Sequence, residues 1–365
     1  MCGIGGATRG FLDAGIKVLK GFDIDKRCEK TFEANNPPVE FLCHDLRDLT
    51  MEDVLSGVMW NPQDKLVFIA CAPCQPFSRA GKKDAEDTRA RIILTVNRFV
   101  YKIKPDFVFI ENVPGFKRFY PGIYEEFLRP YQELEYDYEY NVVNLKEYGV
   151  PQNRRRILFV ASRDYKITLP EKTHGKGRLP YATVRDTIEK YPPLKAGKEH
   201  PDIPNHVCSK LSDKNKKRLE NTPKNGGSRT AWPEELVLDC HKNSSGHTDV
   251  YGRMKWDAPA PTLTCRCTSI SNGRFAHPDQ NRGISVREAA ALQTFGDSFI
   301  FYEPKTVAAK HIGNAVPPLV AYLFATKIAQ VVSRNQGSDF LGFRKAEPLD
   351  IHRKRIRCSS VLGES

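Results

Sequence analysis

What most constrains this chain is the alternation, over its first 165 residues, of short apolar runs with stretches of helical periodicity. Residues 65–70 (KLVFIA), 106–110 (DFVFI) and 157–161 (ILFVA) read as short buried strands, and 15–23 as a helix end running into a strand. Residues 91–103 (RIILTVNRFVYKI) carry apolar side chains at helical spacing. Such alternation predicts an α/β fold, a doubly wound parallel sheet with helices on both faces. In these sheets ligands sit at the carboxyl ends of the strands, so the residues just after each run are where chemistry is sought.

After Leu194 the chain changes character. Residues 195–280 are rich in Lys, Asn, Gly, Pro and Ser, with a basic cluster at 214–218 (KNKKR), and predict a loop-rich second unit. Periodicity returns at 285–295 (SVREAAALQTF), where Ser285 and Glu288 have the spacing of a capping box, and at 318–332. The tail beyond Ser333 is polar and ends in a basic stretch, 352–357 (HRKRIR), expected to be disordered. The 56 Lys and Arg outnumber the 44 Asp and Glu, a formal charge of +12 that favours a polyanionic partner. Ten scattered cysteines and the lack of a secretory signal or a long apolar run predict reduced thiols, a cytoplasmic setting and no membrane span.

Four constellations fall where the fold places chemistry. Cys2-Gly3-Ile4-Gly5-Gly6 reads as a glycine turn opening a helix, either a simple tight turn or a cofactor cradle. Asp23 follows about 20 residues on, after a strand, where a carboxylate binds ribose hydroxyls. Cys71-Ala72-Pro73-Cys74-Gln75-Pro76-Phe77-Ser78 follows the strand at 65–70. Its Cys-x-x-Cys is a redox pair, half a zinc site or a single nucleophile with a neighbour; Cys265-x-Cys267 has the wrong spacing to complete a zinc site, so no metal is expected. A nucleophilic Cys74 calls for nearby cations, and Arg79, Lys82 and Lys83 are close in sequence. Glu111-Asn112-Val113 closes another strand, as a structural cap or an acid facing the cysteine. In Gln152-Asn153-Arg154-Arg155-Arg156, alternation puts Arg154 and Arg156 on one side of an extended chain.

With these motifs in this order, the sequence resembles the DNA cytosine-5 methyltransferase family over nearly its whole length to about residue 332. The resemblance rests on the glycine turn, PCQ followed by PFS, ENV, QNRRR, RGISVREAAALQTF and GNAVPP. It implies a Rossmann-like methyltransferase sheet using S-adenosylmethionine, with residues 1–194 completed by 302–335, a target-recognition region and hinge at 195–301, and the tail at 336–365. By the same resemblance Cys74 is the nucleophile that adds to cytosine carbon 6, and Glu111 holds N3 and the exocyclic amine. Arg154 and Arg156 orient the base and the cysteine loop, supported by Gln75, Ser78, Asn112, Val113 and Gln152. Gly3, Gly5, Gly6, Asp23, Ile24, Asp45, Pro73 and Asn314 form the cofactor site. The implied partners are duplex DNA and a cognate restriction endonuclease, with a monomeric enzyme. Because the base is unreachable within a duplex, base flipping is expected, under a lid at 77–89.

The family has a strand before the glycine turn that this sequence does not contain, and its loss is expected to leave sheet edges unpaired and to weaken cofactor binding. Structured RNA as substrate, a catalytically dead DNA-binding homologue and a thiol-disulfide oxidoreductase are the competing readings. In the recognition region Arg229, His241, Lys242, His247, Arg253, Arg266 and Arg274 are candidate DNA contacts, while Trp232 and Trp256 are expected in the core.

Overall fold

A computed structural model describes residues 1–59, 61, 63–71, 88–242 and 249–335. The first half runs α1 (Gly6–Asp13), β1 (Lys20–Asp23), α2 (Glu29–Asn35), β2 (Glu40–Cys43), α3 (Met51–Leu55), β3 (Val67–Ala70), α4 (Thr95–Ile103), β4 (Phe107–Asn112), α5 (Gly115–Phe119), α6 (Pro121–Glu133), β5 (Asp137–Asn144), β6 (Gln152–Asn153) and β7 (Arg155–Ser162). The rest runs α7 (Val184–Ile188), α8 (Asp213–Glu220), α9 (Asp239–Lys242), β8 (Ala260–Pro261), α10 (Val286–Leu292), α11 (Lys305–Asn314) and α12 (Pro318–Asn335).

The α/β architecture is as expected, but the sheet is mixed rather than parallel. Its order is β3-β4-β7-β5, with β3 and β4 parallel and β7 antiparallel to both neighbours. The reason is β5, whose sequence DYEYNVVN is too polar to read as a buried run because it lies at the sheet's edge among the described strands. It returns through a short connection into β7, which an antiparallel pairing allows and a parallel one does not. β4 sits inside the sheet and is buried along its whole length. Its alternate side chains split between two cores. Phe107 and Phe109 pack with α1 and α12 through Phe11 and Phe324, and Val108 and Ile110 pack with α4 and α6 through Val96, Val100 and Phe127.

β1 and β2 form a separate parallel pair. On the other side of β1 the Cys2 N–H donates to Phe22 O at 2.8 Å, and no described strand pairs there. A third core joins α2 and β2 to α10 and α11, and a small fourth core gathers Leu211, Leu219, Trp232, Leu236, Tyr251 and Ile270. Both tryptophans expected in the core are buried. Ser285 caps α10 with Glu288 in the reciprocal position, as the spacing predicts.

Lys305–Asn335, contrary to the expectation of no long apolar stretch, is long and apolar enough to cross a membrane. It is broken between α11 and α12, half of its most apolar window is buried, and α12 packs on α1, which are the marks of core helices. Gly10 permits that packing: a Cβ there would lie 2.3 Å from Pro318 O.

Candidate functional site

The register of the sheet brings together two of the sequence motifs, the one that closes β4 and the one that opens β7. Ala70 at the end of β3 is level with Ile110, so β3 ends one residue short of Glu111 in the register. β7 runs the other way, with Ile157 opposite Asn112, so Arg155 and Arg156 begin it at that same edge. Pro73, Cys74, Gln75 and Ser78 lie outside the described residues, as does most of the expected lid.

Glu111 is 2 % exposed, and Arg156 Nε lies 2.7 Å from its Oε1. The contact is an ion pair off the angle of a hydrogen bond, so among the described residues Glu111 Oε1 has no hydrogen-bond donor. Beside it, buried Asn112 turns its Oδ1 to the Val113 N–H at 2.7 Å, while its Nδ2 has no acceptor among the described residues. Buried polar atoms left without partners are rare, and each calls for a physical reason.

Arg154 has a different environment from Arg156. It is 1 % exposed and donates to the carbonyls of Leu263 (3.0 Å), Gly313 (3.0 Å) and Ala315 (3.3 Å). Gln152 accepts from the Leu263 N–H at 2.8 Å and donates to Gln293 Oε1 at 2.7 Å, and Gln293 donates to Ala315 O at 2.6 Å. This buried polar node ties the QNRRR segment to the 263–265 segment, to the end of α10 and to the GNAVPP turn. Asn314, exposed at the end of α11, accepts from the Cys265 thiol at 3.0 Å.

A second cluster forms where β1 and β2 end. Asp23 is level with Cys43, which places Asp45 close by. The Asp23 carboxylate accepts from the Gly3 N–H at 2.8 Å and the Asp25 N–H at 2.9 Å. Gly3 and Gly5 have φ of 54° and 88°, the left-handed region that favours glycine. Above Gly3 there is open space, with nothing within 4 Å of where a Cβ would lie, whereas a Cβ on Gly6 would lie 2.4 Å from Val316 O. Ile24 is 64 % exposed, an apolar side chain left in solvent beside this carboxylate. Arg47 grips Asp45, and its hydrogen bonds hold that carboxyl below the usual range.

A model of the C-5 cytosine-specific DNA methylase family matches residues 1–330. The chain belongs to that family. Family members similar to it include the Type II methylase M.HgiDII of Herpetosiphon aurantiacus, 37% identical over 90% of this chain and 93% of the relative. The Type II methyltransferase M1.HphI of Haemophilus parahaemolyticus is 34% identical over 90% of this chain and 85% of its own. Two solved structures share the fold. A DNA modification methyltransferase encoded within an E. coli prophage has a TM-score of 0.67 at 22% identity, covering 91% of this chain and 97% of that one. The S. pombe Dnmt2 methyltransferase has a TM-score of 0.58 at 16% identity, covering 90% and 96%. The chain is accordingly a DNA cytosine methyltransferase. Gln293 and Leu263, which complete the polar node, were not singled out by the sequence; the one signal available was the Gln inside ALQTF, a polar residue following an apolar run at the end of α10.

Proposed function

We propose that this chain methylates carbon 5 of cytosine at a specific sequence in duplex DNA through covalent addition of Cys74. The observation that carries the reading is the buried Glu111–Arg156 pair, whose Oε1 receives no hydrogen bond among the described residues, at the strand end level with the end of β3. Carbon 5 of cytosine is a poor nucleophile. Attack of the Cys74 thiolate on carbon 6 makes a carbon–sulfur bond and moves an electron pair toward carbon 5 and N3. Glu111, carrying a proton at that step, relieves the charge by transferring it to N3, is left as the carboxylate that Arg156 holds in place, and takes the proton back when the thiolate leaves. Carbon 5 takes the methyl group, loses its proton to a base, and the returning electron pair expels the thiolate. S-adenosylmethionine, when bound, supplies that methyl group. The residues present fit it: the open cradle at Gly3 lies against the Asp23 carboxylate, which suits ribose hydroxyls, and exposed Ile24 offers an apolar face to adenine. In this reading Asp45, two residues after the Cys43 that is level with Asp23, and Asn314 complete the donor site.

The target base must leave the duplex to reach Cys74. Residues 1–194 with 302–335 form the catalytic part in this reading, and 195–301 the target-recognition part and hinge, joined at the node around Arg154. The enzyme works as a monomer, with a restriction endonuclease as its cellular partner.

The test is trapping on duplex DNA carrying 5-fluorocytosine within the target that bisulfite sequencing identifies. Fluorine cannot leave carbon 5, so the parent protein is expected to form a covalent complex stable to denaturation, and Cys74→Ala to form none. A complex with Cys74→Ala overturns the assignment of the nucleophile. Methyl transfer to tRNA and not to duplex DNA overturns the substrate.

A further inference from the structure

Helix α11 carries more than Asn314. His311 is 6 % exposed and has a carboxylate at each ring nitrogen: Glu303 Oε1 lies 2.7 Å from Nδ1 and Asp25 Oδ2 3.3 Å from Nε2. Lys310 Nζ reaches the same Asp25 oxygen at 3.2 Å. Glu303 is anchored in turn, its Oε2 accepting from Thr31 on α2 at 2.6 Å. Asp25 also binds Arg27, whose hydrogen bonds, together with those from His311 and Lys310, outweigh burial and hold its carboxyl well below the usual range. Two residues earlier in the chain, Asp23 Oδ1 accepts from the Asp25 backbone N–H. The position of Asp25 therefore sets the direction of the Asp23 carboxylate, and α11 sets the position of Asp25.

We propose that His311, assisted by Lys310, is a positioning residue for the methyl donor: it ties the Asp23–Asp25 turn to α11 so that the Asp23 carboxylate faces the ribose. The proposal rests on the reading of Asp23 as the ribose contact. Two consecutive side chains of one helix, Lys310 and His311, both reach Asp25 and so fix the turn between β1 and α2 to α11. The cluster is not a nucleophilic or metal centre. Its cysteine, Cys28, 3.6 Å from His311 Nε2, is pushed far up by burial and stays a thiol, and no group of metal ligands occurs among the described residues.

Isothermal titration of S-adenosylmethionine into the full chain without DNA tests this, alongside thermal melting and duplex binding for each variant. His311→Ala is expected to raise the donor Kd about tenfold. His311→Gln, which keeps a donor to one carboxylate, is expected to raise it less, and Lys310→Met, at a half-exposed position, about threefold. Duplex affinity should stay within twofold, a split that a general loss of stability does not produce. Should His311→Ala fail to fold, Lys310→Met and His311→Gln decide. Asp23→Asn separates the two ideas. If it weakens the donor tenfold while the His311 and Lys310 variants bind like the parent, the positioning role is wrong and the ribose contact stands. If Asp23→Asn also binds like the parent, the ribose contact falls and the positioning role with it.

Discussion

In the proposed reaction Glu111 and Arg156 act closest to the base, and their burial makes the two sides of the pair unequal. Removing the cation leaves a carboxylate in a site that is 2 % exposed, and breaking one side of a buried pair costs about 3–5 kcal/mol. Replacing Glu111 by Gln removes the charge while keeping the shape. Arg156→Ala is therefore expected to lower both the melting temperature and the rate, whereas Glu111→Gln should melt near the parent and lose about 10²–10⁴-fold in single-turnover methyl transfer, the range of a lost general acid. A Glu111→Gln rate within threefold of the parent would remove Glu111 from the reaction. Both residues stand out in the sequence because Glu111 follows one apolar run and Arg156 precedes another. The separation of Arg154 from Arg156 was not legible. Alternation gives the side an arginine points to, but not whether carbonyls from residues 263, 313 and 315 wait there.

At the scale of elements, the entry to α10 shows how local signals and tertiary context divide the work. The capping box of Ser285 and Glu288 was readable from spacing alone. Its surroundings were not, because they come from 277–282: Arg282 binds Glu288 through two hydrogen bonds of 2.6 and 2.7 Å, and His277 packs edge-on against Trp256. His277 Nδ1 accepts from the backbone N–H groups of Asp279 and Gln280, both at 3.1 Å, so that nitrogen carries no proton in the fold. Burial lowers the His277 pKa from 6.5 to about 4. A depressed histidine contributes stability in full above its unfolded pKa and loses it as pH falls toward the folded value, since the unfolded chain takes up the proton first. Between pH 7 and 5 the parent is expected to lose about 2 kcal/mol more than His277→Asn, whose side-chain oxygen keeps an acceptor for those N–H groups. Urea unfolding at the two pH values measures it, and equal losses in parent and variant would refute it. The mixed sheet has the same lesson. β4 and β7 announce themselves as apolar runs, but β5 lies at an edge among the described strands and its polar sequence hides the strand from which the chain turns back into β7, the one that runs against its neighbours.

Across the whole molecule, the +12 charge overstates what a duplex can meet, because several of the cations are structural. Arg253, a candidate DNA contact by sequence, is 1 % exposed and spends its guanidinium on the carbonyls of Leu219, Thr222, His277 and Gln280 and on Asn281. Arg274 gives one nitrogen to the carbonyls of Gly226, Gly227 and Arg253, and Lys242 pairs with Asp239 at 2.9 Å. His247 lies outside the described residues. Arg266 differs: it is exposed, and it follows Cys265, whose thiol donates to Asn314 at the end of α11. Each phosphate that a protein neutralises adds about 0.9 to the slope of log K against log salt. Arg266→Ala is therefore expected to weaken duplex binding and flatten that slope by about one contact, with an unchanged melting temperature and an unchanged methylated sequence. Arg253→Met should do the reverse, lowering the melting temperature because it strands those buried carbonyls, while the folded fraction keeps the parent's slope. Fluorescence anisotropy from low to moderate salt reads both variants. If Arg253→Met flattens the slope while Arg266→Ala leaves it alone, the division between structural and DNA-facing cations is the wrong way round.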